Sequence, residues 1–394
     1  EISACLVGSE MCIRDSPSWQ RSSCEICRSN RKEYNEISMR HLELFAGIGG
    51  FRRAMDILTN DHIMEFHCIG YSEIDSKAEA TYRSNYAIGK DEIVMGDIVA
   101  FTNDKKNIKS LPKFDLLTGG FPCQTFSMMG NQTGFDEDRG QMFFRIMDIL
   151  MVKKPKYVLL ENVKNLWNHD KGRTFARIKS ELESIGYHVY ADIFNTADFH
   201  LPQTRNRILI FATTVRIPKD FQFSAKLIAK EFDKKYKETS LLHYETVNEV
   251  LMQDAASKYF LSERIKPTVL ADGSSNFKSK SDINMKIARP LTATMHKMHR
   301  ACQDNYYSLD FIMSYGKVNP VDTMTKEELA KLPIRKLTPE EAFMLQGFPA
   351  EFVQNAKSHG VADGALYKQA GNAVSVNTIY ATLYYLIINN IIRN

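Results

Sequence analysis

No stretch of this 394-residue chain stays apolar for long enough to cross a membrane as a helix. The most apolar segment, residues 379–392, is short and carries Thr and Asn, so it reads as a buried terminal helix. Neither sign of charge dominates: 51 Lys and Arg stand against 47 Asp and Glu, a formal net charge of +4. That balance permits a nucleic-acid partner without demanding one. Cysteine is sparse, with seven residues, four of which (Cys5, Cys12, Cys24, Cys27) precede Met39. Cys68, Cys123 and Cys302 form neither a metal-ligand spacing nor a disulfide framework. Cys24-x-x-Cys27 has no second Cys or His pair in reach to complete a zinc site, so no metal is expected. This cysteine usage implies a reduced, cytoplasmic setting. No internal repeat is evident.

Residues 1–38 lack apolar periodicity. The run from Cys5 to Ser16 resembles translated sequencing-adapter read-through, so this segment is expected to be a non-native or disordered extension, with the native chain starting at Met39.

From Met39 the chain alternates between strand and helix. Apolar runs at 41–46, 65–72, 93–95, 114–118, 157–160, 187–194 and 208–212 read as strands. Segments 51–58, 77–86, 141–151 and 174–185 have helical spacing. Such alternation predicts an α/β fold, a doubly wound and mostly parallel sheet, over residues 39–215. The pattern fades after Thr213. Residues 216–335 mix Lys-rich runs, aromatics and Gly-Ser loops such as 272–275, and read as an inserted, small, irregular α+β domain. A helical pattern returns over 335–348, with Thr338 as N-cap ahead of Pro339. Residues 336–365 read as a hinge, and 366–394 as a terminal segment whose helix starts near Val376 and rejoins the first domain.

Chemistry concentrates at the strand ends. Phe45-Ala46-Gly47-Ile48-Gly49-Gly50 is a glycine turn between the first strand and the first helix, and its glycines allow close approach of backbone to a ligand. Glu73, ending the second strand, can accept both hydroxyls of a ribose, and no phosphate-binding Arg or Lys follows it. Asp97, ending the third strand before Ile98, can accept from an adenine amino group. Each acid alone would serve equally as a solvated strand end. Three successive strand ends lining one crevice favour a shared site. Adenosine without phosphates fits S-adenosylmethionine better than a dinucleotide. Gly119-Gly120-Phe121-Pro122-Cys123-Gln124-Thr125-Phe126-Ser127 leaves a thiol at the carboxyl end of the fourth strand, on a stiff approach set by Pro122. Glu161, ending the fifth strand before Asn162, is a carboxyl that burial could hold protonated near neutral pH. Thiol and carboxyl on adjacent strand ends suit attack on a pyrimidine. Arg205 and Arg207 share one face of an extended segment and could hold a base carbonyl and a phosphate. Asn372, ahead of Val374, could cap the last helix or reach back to the methyl-donor pocket.

Taken together, these blocks resemble the bacterial DNA cytosine-5 methyltransferases of type II restriction-modification systems, from about His41 to the end apart from the insert. The resemblance covers Phe45 to Gly50, Glu73, Gly96-Asp97-Ile98, Gly120 to Gln124, Glu161-Asn162-Val163, Gln203 to Arg207, Arg335 to Glu341 and Gln369 to Val374. Ile74 departs from it, standing where relatives often place an aromatic against adenine; Phe45 and Ile74 could share that role. The resemblance implies a Rossmann-like fold and S-adenosyl-L-methionine as cofactor, held by Phe45, Gly47, Ile48, Gly49, Gly50, Glu73, Ile74, Asp97, Ile98, Pro122, Met142, Asn372 and Val374. It implies catalysis by Cys123, Glu161, Arg205 and Arg207 on a cytosine flipped out of double-stranded DNA. Gln124, Ser127, Asn162, Thr292 and Thr294 would touch the DNA, with 216–335 as the target-recognition domain. Residues 131–140 resemble the loop that closes over the extruded base. A monomer is expected, without membrane attachment, linked in function to a restriction endonuclease. RNA cytosine methylation, a catalytically dead DNA-binding regulator and a nicotinamide-linked oxidoreductase are the competing readings. The Gly-Phe-Pro-Cys-Gln run and the large insert favour DNA over RNA. The intact Cys123 and Glu161 argue against a dead regulator, and the oxidoreductase rests only on the glycine turn.

Overall fold

The computed structural model describes residues 38–122, 142–273, 279–297, 299 and 302–393. Residues 1–37 of the expected N-terminal extension, Cys123, Gln124, Ser127, the 131–140 loop, Ser274, Ser275, Met298 and Arg300 lie outside the described residues.

Strand and helix alternate as the periodicity predicts. The order is β1 (Met39–Leu44), α1 (Gly50–Asn60), β2 (Phe66–Tyr71), α2 (Ser76–Asn85), β3 (Ile93–Val94), α3 (Ile98–Asn103), β4 (Leu116–Gly120), α4 (Met142–Lys153), β5 (Tyr157–Val163), α5 (Arg173–Ser184), β6 (His188–Asn195) and β7 (Asn206–Thr213). Further on come α6 (Ala225–Phe232), β8 (Tyr306–Ser308), β9 (Ile334–Lys336), α7 (Pro339–Met344), α8 (Asp363–Asn372) and α9 (Val376–Ile388), with short helical turns between. The main sheet has seven strands in the order β3-β2-β1-β4-β5-β7-β6. Its first five strands run parallel, whereas β7 is antiparallel to both β5 and β6. The fold is thus the expected mostly parallel, Rossmann-like sheet. The reversed β7 matters for the site, because it returns Arg207 to the carboxyl end of β5.

Both faces of the sheet are dry. Leu116, Tyr157, Leu159 and Phe211 point to one layer with Phe51, Ala54, Met55 and Leu58 of α1 and Ile379, Tyr380 and Leu383 of α9. Leu117, Val158, Leu160 and Ile210 point to the other, against Ile146, Ile149 and Leu150 of α4 and Ile178 and Leu182 of α5. This is period-two alternation on strands meeting period-3.6 stripes on helices. Each such fully buried aliphatic side chain contributes roughly 1.5–3 kcal/mol from the area removed from water.

One expectation needs correction. Residues 334–336 are not helical but form β9, which pairs antiparallel with β8. The helix waits for Pro339 because Thr338 caps it, in a box where Thr338 Oγ1 accepts from Glu341 N–H and Glu341 Oε2 accepts from Thr338 N–H. Arg335 then lies buried on Glu341, at 2.6 and 2.8 Å. It ends soon after, because Gly347 turns with φ +88°. Residues 216–335, the expected inserted domain, contribute to two clusters. Phe223, Ile228, Phe232, Leu241, Val247, Tyr259, Tyr307 and Phe311 belong to the same core as α1 and α9. A smaller cluster of its own holds Leu261, Val269, Leu270, Ile283, Tyr306, Leu329 and Ile334.

Beneath the first strand end lies a carboxyl that sequence reasoning overlooked. Glu43 is fully buried on β1, with Oε2 accepting from Tyr82 Oη at 3.2 Å and Oε1 without a hydrogen-bond partner among the described residues. Burial pushes its pKa up to about 8, against the opposing pull of Arg52. Unfolded, the same group ionises near 4.5. Between those values the unfolded chain binds fewer protons, so stability is present at low pH and falls as pH rises, by about 1.4 kcal/mol per unit at most. Glu43→Gln keeps an acceptor for Tyr82 and removes the titration. Urea unfolding at pH 5 and pH 8 is expected to show the variant losing less stability than the parent across that interval; equal losses would refute the assignment.

Candidate active site

The crevice forms where β1, β2 and β4 end side by side. Phe45 leaves β1 in the left-handed region, φ +54°, a costly conformation for a non-glycine residue. Ser72, which sequence reasoning missed, holds it there: its Oγ accepts from Phe45 N–H at 3.1 Å and its carbonyl accepts from Ala46 N–H at 2.8 Å. The only sequence signal was a small hydroxyl residue directly ahead of Glu73.

The glycines of the turn do different work. Gly47 has φ +57° and open space where a Cβ would stand, so its side faces the crevice. Gly49, φ +80°, begins α1 against Tyr86. Gly50 is required sterically, since a Cβ there would collide with Val374. Val374 also lies against Gly120, so the chain after α8 packs between the two glycine turns.

Glu73 bridges the first two strand ends. Its Oε2 accepts from Gly47 N–H and its Oε1 from Asp75 N–H, each at 2.7 Å. Burial raises its pKa, while these N–H donors oppose the rise. One lone pair on each oxygen is left for a ligand hydroxyl. Ile74, next to it, is 75 % exposed, an uncovered apolar face beside a fixed carboxylate. Asp97 caps α3, with Oδ1 accepting from Val99 N–H at 2.9 Å, and Ile98 is buried behind it. Met142 opens α4, half-buried.

On the base side, Gly120 and Glu161 are register partners across β4 and β5. Phe121 is buried and its carbonyl accepts from Asn162 Nδ2 at 2.8 Å, while Pro122 is exposed. Asn162 therefore anchors the chain two residues before Cys123. Glu161 is almost fully buried, and Arg207 Nε lies 2.9 Å from its Oε1, an ion pair that falls short of an aligned hydrogen bond. Desolvation raises the Glu161 pKa; Arg207 and then Arg205 pull it back. The antiparallel pairing, Val163 opposite Arg207, is what sets this guanidinium diagonally across from Glu161.

Arg205 is held inside the protein, and Asn372 is not the cap of the last helix. Arg205 is 1 % exposed and donates to the carbonyls of Leu291 (3.1 Å), Gly371 (3.0 Å) and Ala373 (2.8 Å), so it does not present a fork to a base and a phosphate. Its burial, with Arg207 nearby, lowers its pKa to about 9. Asn372 closes α8, exposed, and does not cap α9, whose N-cap is Ser375. Thr292 is half-buried at the entry to a turn and Thr294 is exposed within it, with the Thr292–Ala293 peptide packed on Gly371. Among the described residues no cluster of His, Cys, Asp and Glu could hold a metal, and no helix is long and apolar enough to cross a membrane.

Comparison with known proteins extends these observations. A family model described as C-5 cytosine-specific DNA methylase matches residues 39–387. The type II methyltransferase M1.ScrFI of Lactococcus lactis subsp. cremoris is 37% identical over 340 residues, 86% of this chain and 76% of that protein. The type II methyltransferase M.SsoII of Shigella sonnei is 36% identical over 352 residues, 87% and 78% respectively. The S. pombe Dnmt2 methyltransferase, at 18% identity, superposes with a TM-score of 0.65 over 89% of this chain and 98% of its own, a likeness of fold. With a family match spanning nearly all of the chain beyond Ser38, the protein belongs to the C-5 cytosine-specific DNA methylases and is a DNA cytosine-5-methyltransferase of the restriction-modification type.

Proposed function

We propose that the protein transfers a methyl group from S-adenosyl-L-methionine to C5 of a cytosine flipped out of a specific double-stranded DNA sequence, through a covalent adduct of Cys123 with C6. The observation that carries this reading is the buried Glu161–Arg207 pair, set on the strand end beside the one that leads into Pro122 and Cys123.

The residues on the β1–β3 side fit an adenosine-bearing methyl donor. Glu73 is a fixed carboxylate with lone pairs for ribose hydroxyls, Gly47 offers an open backbone face, and Ile74 presents bare apolar surface for an adenine ring. Phe45, Ile48, Asp97, Ile98, Pro122, Met142, Asn372 and Val374 would complete that lining. The cofactor would supply an electrophilic methyl on a sulfonium.

A stacked cytosine exposes neither C5 nor C6 to a thiol, so the base must leave the duplex. The Cys123 thiolate would form the S–C6 bond, moving the ring π-electrons to C5. Glu161, whose pKa burial raises against the pull of Arg207, would give its proton or a hydrogen bond to N3, and Arg207 would hold the base carbonyl. After C5 gains its methyl, loss of the C5 proton returns electrons to the ring and expels the thiolate, restoring aromaticity. Gln124, Ser127 and Asn162 would line the base pocket. Residues 216–335 would read the target, with Thr292 and Thr294 against the strand and Lys and Arg on phosphates. In its host the enzyme would protect DNA from a linked endonuclease, acting as a cytoplasmic monomer.

Bisulfite sequencing of plasmid from an expressing host tests this. Methylcytosine is expected at one short recurring sequence, together with a rise in thermal stability on adding S-adenosylmethionine. An unmethylated plasmid with methylated tRNA would move the substrate to RNA; no stabilisation by the methyl donor would remove the cofactor assignment.

A further inference from the structure

Residues 203, 205 and 207 share one face of an extended chain, but only Arg207 reaches Glu161. Gln203 is completely buried. Its Oε1 accepts from Leu291 N–H at 2.9 Å, and its Nε2 donates to the Leu345 carbonyl at 2.9 Å. Arg205 takes the carbonyl of the same Leu291 at 3.1 Å. Leu291 is thus gripped at both of its backbone groups, one by each side chain. The grip is reinforced by backbone pairing, with Thr204 N–H donating to Ala288 O at 2.9 Å and Ala288 N–H to Pro202 O at 2.7 Å. The next peptide along, Thr292–Ala293, is backed by Gly371, whose carbonyl takes another Arg205 N–H at 3.0 Å.

We propose that Gln203 and Arg205 are positioning residues: they clamp Leu291 and so set the register of the 292–294 turn against the Glu161–Arg207 pair two residues further along their own strand. The inference rests on the reading of Thr292 and Thr294 as DNA-facing residues and adds what holds them in place. Neither clamp side chain touches DNA. Both groups are buried polar atoms in a site where each bond has one partner, so an error in either propagates to the turn rather than being absorbed by water. The clamp links the segment that meets the strand, the pair that meets the base and, through Ala373, the chain that packs on Gly50.

Two variants separate this from simple bracing. Gln203→Met fills the same volume and loses both bonds. Arg205→Lys keeps the charge, cannot span three carbonyls, and leaves the bond from Gln203 to Leu345 intact. Gln203→Met is expected to raise the KM for cognate duplex about tenfold and to lower the ratio of cognate to one-base-altered methylation by a similar factor, with the KM for S-adenosylmethionine unchanged. Arg205→Lys should show the same KM and fidelity changes. A parental Arg205→Lys protein beside an impaired Gln203→Met would overturn the clamp, because only the second breaks the bracing through Leu345. Should Gln203→Met fail to fold, Arg205→Lys carries the test by itself. The control is Thr292→Ala with Thr294→Ala. If that protein keeps the parental DNA KM and fidelity, the DNA-facing reading of the turn fails. If it loses them while Gln203→Met and Arg205→Lys do not, the clamp alone is wrong.

Discussion

A Cys123→Ala protein is expected to lose methyl transfer by on the order of 10⁴-fold or more, the scale on which removing a covalent nucleophile acts. Without a thiolate on C6 the C5 position of cytosine has too little electron density to take a methyl group. The loss should fall on kcat, since Gly47 and Glu73, proposed to hold the methyl donor, are bonded to each other at the ends of β1 and β2. The thermal shift on adding S-adenosylmethionine should therefore persist in the variant, which separates lost chemistry from lost folding. A 5-fluorocytosine duplex sharpens the test, because fluorine cannot leave as the proton does. Parent protein should give a denaturation-resistant protein–DNA adduct and Cys123→Ala none. An adduct formed equally by both would place the nucleophile elsewhere.

Glu161→Gln should lower kcat by roughly 10²–10³-fold while moving the DNA KM much less, as expected for a group whose proton is needed only when C6 is attacked. Its pH dependence carries the sign. Desolvation raises the Glu161 pKa, so the fold favours the protonated form. Activity that needs that proton is highest below the raised pKa and falls as pH rises through it. Glutamine has no such proton to lose, so the variant's residual rate should be flat over the same range. A variant that kept the parental fall at high pH would assign that limb to another group. Arg207 tolerates the change, because its side chain is 22% exposed and can hydrate once its partner is neutral.

Much of this was legible along the chain. The period-two runs of β4 and β5 and the 3.6-period stripe of α1 located the elements, since local burial patterns need only neighbours one turn or one pleat away. Thr338 ahead of Pro339 announced the start of α7, because a cap bonds within three residues of itself. Phe45 to Gly50, Glu73 and Asp97 could be placed at strand ends for the same reason. Other features were set by residues far away in sequence. Arg205 looked like the twin of Arg207 until its guanidinium was found among carbonyls 86, 166 and 168 positions away. Glu43 looked like part of an ordinary strand until burial between Tyr71 and Thr118 raised its pKa. The packing of 216–259 onto α1 and α9 could not be read from a segment without regular period.

By itself, then, the order of residues determined the α/β alternation, the glycine turn, the acidic strand ends and the Pro-Cys run that point to cytosine methylation. These depend on backbone conformations that one short stretch can dictate. Tertiary structure alone decided which of two like arginines faces the carboxyl, which asparagine anchors the approach to Cys123, and that Glu43 is a buried acid whose pKa is pushed up. Those outcomes turn on desolvation and on partners supplied by distant segments, and neither quantity exists until the chain has closed on itself.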